Sequence, residues 1–214
     1  MTGARSPLAV LLAASLLTAL TACGPRTKLT AVWVTETPRQ LRNVMILAIA
    51  ASMGGRRKYE DRFVGELDGR GMQAIQSYMV LPLDGKLEED DLRAGVAQGG
   101  YDAVIATRLL AVDQEQVYVP PTEYVSMGPG YRGGYGRGLY GYYGAGYTVQ
   151  STPGYMKTNT TVRLETHIYD ADSEKLIWAA HSDTFDPATP EAAIKSVVSL
   201  IATRLERDGL VPKE

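Results

Sequence analysis

Residues 44–50 have the sequence VMILAIA, a continuous apolar run with polar residues before it and the glycine-containing loop 51–55 after it. A strand that is covered on both faces has this pattern, because neither of its faces carries polar side chains. The run therefore predicts the first central strand of a sheet.

The residues after this run predict two crossover units. Tyr59, Phe63 and Leu67 recur every four positions with charges between them, which is typical of an amphipathic helix over 56–70. A short strand at 73–78, a second helix at 88–98 and a third strand from 102 to about 119 follow. Because such crossovers are right-handed and join parallel strands, the three strands are expected to be parallel.

The second half of the chain has a different pattern. Residues 161–169 alternate between apolar and polar, and the turn 170–175 leads into 176–180, so an antiparallel hairpin is expected. Thr189 and Pro190 form a capped helix start. The predicted fold class is α/β, with a mixed sheet of βαβαβ crossover units, then a hairpin and a C-terminal helix. A separate strand is expected at 29–35, with its place in the sheet left open.

The amino terminus has the layout of a secretory signal peptide. Arg5 precedes an uncharged apolar stretch over 7–20 that is too short to span a bilayer. Residues 20–24, LTACG, resemble the lipobox of bacterial lipoproteins, and Cys23 is the one cysteine of the chain. The resemblance implies cleavage after residue 22, with a diacylglycerol and an N-acyl chain on Cys23 as the only covalent group. The alternative is a chance cysteine beside an ordinary cleavage site.

By the same resemblance, a glycine at position 24 instead of an aspartate predicts that the protein is anchored in the outer membrane of a Gram-negative bacterium and faces the periplasm. The organisation expected is a signal peptide at 1–22, an anchor, strand and linker at 23–43, and one domain at 44–214 with an insert at 120–158. Without the signal peptide the formal net charge is −3, because Arg5 leaves with it. No nucleic acid is expected as a partner.

The chain resembles two groups of envelope proteins. The order of elements behind a lipobox is similar to the amino-terminal domain of TolB and to the periplasmic domain of the curli secretion lipoprotein CsgG. Uncharacterised proteobacterial lipoproteins resemble it in amino-acid sequence, at 31–34 (AVWV), 59–63 (YEDRF), 77–82 (SYMVLP), 102–105 (DAVI) and 169–178. These resemblances imply the fold and carry over no catalytic residue.

The loop 52–57, SMGGRR, is one candidate binding site. It follows a strand and opens a helix, where free backbone N–H groups with Arg56 and Arg57 could hold an anion. It matches neither the dinucleotide nor the Walker pattern, and a plain loop with solvated arginines is the alternative. The acidic run 88–91 is expected to complement the dipole of the second helix rather than to catalyse.

The two histidines, His167 and His181, are the imidazoles available as ligands or bases. If Asp170 pairs with Lys175 across the hairpin, their rings project from opposite faces of the sheet. On that register they could not share a metal ion, and no metal site is expected.

The segment 128–147 is rich in glycine and tyrosine. Glycine density favours a long loop without a packed core, because ordering each residue costs about 1–2 kcal/mol. The alternative is a contact segment whose rings meet an envelope protein, a glycan or a lipid surface. The candidate contact residues are Tyr131, Tyr135, Tyr140, Tyr142 and Tyr143.

Three functions follow from these observations. The favoured one is a non-catalytic, membrane-anchored envelope lipoprotein that binds or assembles with an envelope partner. The alternatives are a lipoprotein enzyme or anion binder using the loop 52–57, and a structural tether. The sequence leaves the oligomeric state open.

Overall fold

The computed structural model describes residues 26–81, 88–127 and 147–212. Its elements in chain order are β1 Arg26–Val34, β2 Asn43–Ile49, α1 Met53–Asp68, β3 Gln73–Gln76, α2 Glu89–Gly99, β4 Ala103–Val119, β5 Thr122–Met127, β6 Tyr147–Thr152, β7 Tyr155–Asp170, β8 Leu176–Phe185 and α3 Pro190–Arg207. A short 3-10 helix, Ser77–Met79, follows β3. No helix within the described ranges is long and apolar enough to cross a membrane.

The chain divides into two compact units. The first contains the described residues up to Val112 and those from Thr161 onward, and the second is Asp113–Thr160. Strands β4 and β7 pass from one unit into the other.

A six-stranded mixed sheet forms the first unit, in the order β1-β8-β7-β4-β2-β3. Strand β2 is parallel to both β3 and β4, which confirms the two predicted crossover units. Strands β7 and β8 form the predicted antiparallel hairpin. Strand β7 is also antiparallel to β4. Thr107 contacts Thr166 and Arg108 contacts Glu165, so residue numbers increase along β4 while they decrease along β7.

Helices α1 and α3 cover one face of the sheet. Helix α3 begins as the sequence indicates, because the Thr189 side chain accepts from Ala192 N–H. Helix α1 begins at Met53, three residues earlier than expected, because the Ser52 side chain accepts from Gly55 N–H and caps it. The main core lies beneath them, with Phe63, Leu67, Ile105, Ile168, Trp178, Val198, Ile201 and Leu205 all fully or almost fully buried. The larger hydrophobic core of the domain therefore lies between the sheet and these two helices.

Helix α2 covers part of the opposite face. Its half-buried Leu92 and Val96 pack on a smaller cluster that includes Met45, Leu47 and Val104. No residue of α2 is fully buried. This side of the sheet is therefore only partly covered, and the site described below lies there.

Strand β1 lies at one edge of the sheet, antiparallel to β8. It begins at Arg26, three positions after Cys23. The strand that the sequence left without a place is therefore part of the main sheet.

The register of the β7–β8 hairpin differs from the one expected. Asp170 N–H donates to the carbonyl of Lys175, as expected, but the pairing shifts by one residue further along the hairpin. Tyr169 faces Leu176 while Ile168 faces Trp178, so Ile177 is the extra residue of a β-bulge. A slip of one residue exchanges the faces of a strand, and the expectation that the two histidines lie on opposite faces is wrong.

The second unit contains a two-stranded ribbon in which β5 and β6 are antiparallel, with Met127 opposite Tyr147. The flanks of the predicted insert are thus strands. Its glycine- and tyrosine-rich centre, 128–146, lies outside the described residues.

Candidate functional site

A cavity of about 840 Å³ lies in the first unit, on the face of the sheet that α2 partly covers. Strands β2, β4 and β7, helix α2 and the turn 170–174 contribute its walls. Small-molecule sites in proteins commonly have volumes of about 300–1,000 Å³. The cavity is therefore large enough for a small organic ligand.

The wall formed by β2, β4 and α2 is apolar. Its side chains are Leu47, Ile49, Leu92, Val96, Val104 and Ala106. They converge because Leu47 pairs with Ala106 on adjacent strands and α2 crosses above them. Ile49, at the end of β2, is 58% exposed and extends this wall to the solvent.

Two glycines allow α2 to lie close to its neighbours. A Cβ atom at Gly95 would come within 2.5 Å of a Leu81 methyl group, and one at Gly99 would overlap the ring of Tyr101. Such approaches are possible only without a side chain. Gly95 and Gly99 therefore allow α2 to pack closely against Leu81 and Tyr101.

A charged row lies beside this apolar wall, on β4, β7 and β8 of the same sheet. On adjacent strands, His181 faces Glu165, and the Glu165 carboxylate contacts Arg108 with Oε2 to Nε at 2.5 Å. His181 Nε2 lies 3.0 Å and His167 Nε2 lies 3.4 Å from Glu165 Oε1. The bulge thus brings both histidines to one carboxylate. Within the described parts of the chain, no three side chains are arranged to hold a metal ion.

The carboxylates of this wall stay ionised. Burial acts to raise the pKa of Glu165, but hydrogen bonds from Arg108 and His181 outweigh it and hold the pKa below its usual value. The pKa of Asp170 is lowered to about 2, first by the side-chain hydrogen bond from Arg39 and then by hydrogen bonds from Ser173. Neither group is suited to exchange a proton near neutral pH.

The rim beside the start of α2 is acidic. Arg93 Nε lies 3.1 Å from a Glu174 oxygen and Arg93 Nη2 lies 3.0 Å from a Glu89 oxygen, so one guanidinium serves two carboxylates. Asp172 also lines the cavity. Negative charge is therefore in excess at this rim.

A buried polar chain connects the cavity wall to α1. Thr107, which lines the cavity, accepts a hydrogen bond from the Tyr59 hydroxyl at 3.1 Å, and its own oxygen lies 3.0 Å from that of Thr166. Burial raises the pKa of Tyr59 to about 12, so its proton stays in place. These bonds fix β4 and β7 side by side behind the charged row.

The loop 52–57 is occupied by internal contacts. Arg56 Nε lies 3.0 Å from Glu60 Oε1 and its Nη2 donates to Ser77 Oγ at 2.7 Å. The guanidinium of Arg57 lies 5.3 Å from the centre of the Tyr78 ring. An anion at this loop would have to compete with these partners, and the anion site stays a prediction.

Glu60 has a structural role that the sequence did not indicate. This side chain is fully buried and its carboxylate accepts hydrogen bonds from four groups: Ala48 N–H, Arg56 Nε, Ser77 Oγ and Tyr78 N–H. It joins β2, α1 and the 3-10 helix. The one available signal was the arginine four positions before it in the helix.

The lipid and tyrosine predictions fall outside the described residues. They concern Cys23, Tyr131, Tyr135, Tyr140, Tyr142 and Tyr143. Arg108 and Glu165 were not among the predicted site residues, and the fold brings them together with His167 and His181.

No family model matches the chain, and no curated protein matches it. Among solved structures it is similar to the PelC dodecamer from Paraburkholderia phytofirmans, with 9% identity over 88% of this chain and 99% of that chain and a TM-score of 0.46. It is also similar to the lipoprotein GNA1162 from Neisseria meningitidis, with 11% identity over 78% of this chain and 99% of that chain and a TM-score of 0.43. Likeness at this level carries no argument about activity or partners, and the resemblance to TolB and CsgG stays a prediction.

Proposed function

We propose that this chain is a non-catalytic envelope lipoprotein, anchored in the membrane through Cys23, whose domain binds a ligand or partner group in the cavity beneath α2. The observation that carries the binding role is the cavity itself, which has an apolar wall and, next to it on the same sheet, a fixed charged row. Apolar pockets with a few convergent polar groups are the usual form of ligand sites.

The charged row supports binding rather than catalysis. The pKa values of Glu165 and Asp170 are both lowered, and each carboxylate is held by an arginine, Arg108 or Arg39. An ionised carboxylate with a low pKa is a weak base and has no proton to donate. It can still orient a ligand through fixed charge and hydrogen bonds.

The anchor is supported by the sequence around Cys23 and by the position of the first strand. Only Gly24 and Pro25 separate the cysteine from β1, which is an edge strand of the main sheet. The three steps from Cys23 to Arg26 span at most about 11 Å. The lipid would therefore hold this edge of the domain close to the membrane, which we propose is the outer membrane.

Partner contact through the tyrosine-rich segment 128–146 remains part of the proposal. The flanking ribbon carries an exposed apolar side chain on each face, because Tyr124, 62% exposed, and Val149, 49% exposed, belong to successive pairs of the ladder. A protein or a glycan of the envelope is the proposed partner.

The anchor is tested by expressing the full chain in a Gram-negative host and measuring the mass of its amino-terminal peptide. We expect acyl mass on Cys23, cleavage after residue 22 and a membrane location, all of which Cys23→Ser removes. Wild-type protein without acyl mass would contradict the anchor.

Cavity binding is tested with N-phenyl-1-naphthylamine, an uncharged apolar dye, on the mature chain carrying Cys23→Ser. We expect Ala97→Trp, which fills the cavity from α2, to abolish the rise in fluorescence. Ala94→Trp is the matched control, because Ala94 is an exposed residue of the same helix that does not line the cavity. Equal fluorescence in both variants would contradict the site.

A further inference from the structure

The charges around the cavity are not balanced. Five carboxylates and two arginines line it. The Glu165 carboxylate has its counter-ion in Arg108, and Asp170 has one in Arg39 outside the cavity. The remaining lining carboxylates are Glu89, Asp172 and Glu174. Arg93 is the one lining arginine left for them, and Arg39, outside the cavity, also attracts Asp172 electrostatically.

This surplus charge has a defined place. Glu89 and Arg93 lie on α2, and Asp172 and Glu174 lie on the turn between β7 and β8, so the acidic rim is formed where helix and turn meet. The apolar wall continues from there along Leu92 and Val96 towards Leu47 and Ile49. One end of the cavity therefore carries negative charge, and the wall that runs from this end towards Ile49 is apolar.

We propose, on the basis of the binding role proposed above, that the cavity takes an amphipathic cation: a molecule with an apolar body and a positively charged amine or ammonium group. The apolar body lies against Leu47, Leu92, Val96 and Ala106, where it is removed from water. The cationic group lies at the rim between Asp172 and Glu174. An anionic amphiphile would meet the same carboxylates and be repelled.

The charged row sets the depth that the cation reaches. Arg108 is held against Glu165 and pairs with Ile49 across β4 and β2, so its positive charge lies beside the Ile49 end of the apolar wall. A cationic group is therefore disfavoured at that end of the cavity and favoured at the rim, where carboxylates outnumber the arginine. The ligand has one preferred orientation as a result.

The test uses three ten-carbon probes below their micelle concentrations: decyltrimethylammonium, decyl maltoside and decyl sulfate. Binding to the mature chain carrying Cys23→Ser is measured by calorimetry. The cation is expected to bind about two- to fivefold more tightly than the uncharged probe, a range that corresponds to one exposed or partly exposed charge contact. The anion is expected to bind more weakly than both.

Two variants separate charge from cavity. Asp172→Asn with Glu174→Gln is expected to remove the preference for the cation while keeping the affinity for decyl maltoside. Asp68→Asn with Glu36→Gln is the matched control, since both residues are exposed and neither lines the cavity. Retention of the preference in the rim variant, or its loss in the control, would overturn the proposal.

The remaining outcomes distinguish this inference from the proposed function. Equal binding of the cation and decyl maltoside, both abolished by Ala97→Trp, would overturn the inferred ligand class and leave the cavity as a binding site. Absence of binding by all three probes, or binding that Ala97→Trp does not change, would overturn both.

Discussion

His181 and Glu165 face each other on adjacent strands, with Nε2 of the imidazole 3.0 Å from Oε1 of the carboxylate. The bulge at Ile177 places His167 on the same face, 3.4 Å from the same oxygen. Glu165 also contacts Arg108, so three cationic or polar donors meet at one largely buried carboxylate. The charged wall of the cavity depends on this residue.

Glu165→Gln is expected to lower the free energy of unfolding at pH 7 by about 1–2 kcal/mol, because hydrogen bonds to a charged group are lost. The folded pKa of Glu165 lies below its usual value, so its contribution is present above the unfolded pKa of about 4.3 and is lost as the pH falls through the folded pKa. Urea unfolding from pH 7 to pH 3 checks this. A difference between wild type and variant that does not shrink below pH 4 would contradict it.

The carboxylate of Glu60 is the second charged group on which stability depends. Glu60→Ala is expected to cost about 3–5 kcal/mol, because it leaves Arg56 and three further donors without their acceptor in the interior. Asp68→Ala, at an exposed position of the same helix, is the control and is expected to change stability by less than about 0.5 kcal/mol. Urea denaturation at pH 7 measures both, and similar small effects would show that Glu60 is not a structural centre.

Helix α3 supplies a direct test of the main core. Val198 is fully buried beneath it, and Val198→Asp is expected to unfold the domain because an unpaired buried carboxylate costs several kcal/mol of the roughly 5–15 kcal/mol that stabilises a domain. Lys195→Asp, at an exposed position of the same helix, is the control and is expected to leave the melting curve nearly unchanged. A folded Val198→Asp variant with a wild-type midpoint would contradict the packing described.

Much of the fold follows from periodic patterns in the sequence. The apolar run at 44–50 predicted β2, and the four-residue spacing from Tyr59 to Leu67 predicted α1. Both patterns can be read from the sequence because they reflect which faces of an element are buried. The cap at Thr189 indicated where α3 starts. These signals are local, so they can be recognised without the rest of the fold.

The candidate site depends on features that are not local. The bulge at Ile177 lies within a run of strand-forming residues, and no glycine marks it, so the faces of His167 and His181 could not be assigned. The cavity depends on where α2 crosses the sheet, which its own pattern does not specify. From the sequence, Glu60 looks like an exposed acidic residue of a helix. Its four hydrogen-bond donors come from three different segments, so its buried position could not be recognised locally.

Amide hydrogen exchange in α2, with and without N-phenyl-1-naphthylamine, tests the central claim that the domain binds ligands beneath this helix. No residue of α2 is fully buried, so its amides are expected to exchange readily in the free protein. With the dye at a concentration that saturates fluorescence, we predict slower exchange across Glu89–Gly99 and unchanged exchange in α3. Unchanged exchange in α2, or slowing confined to α3, would contradict the account.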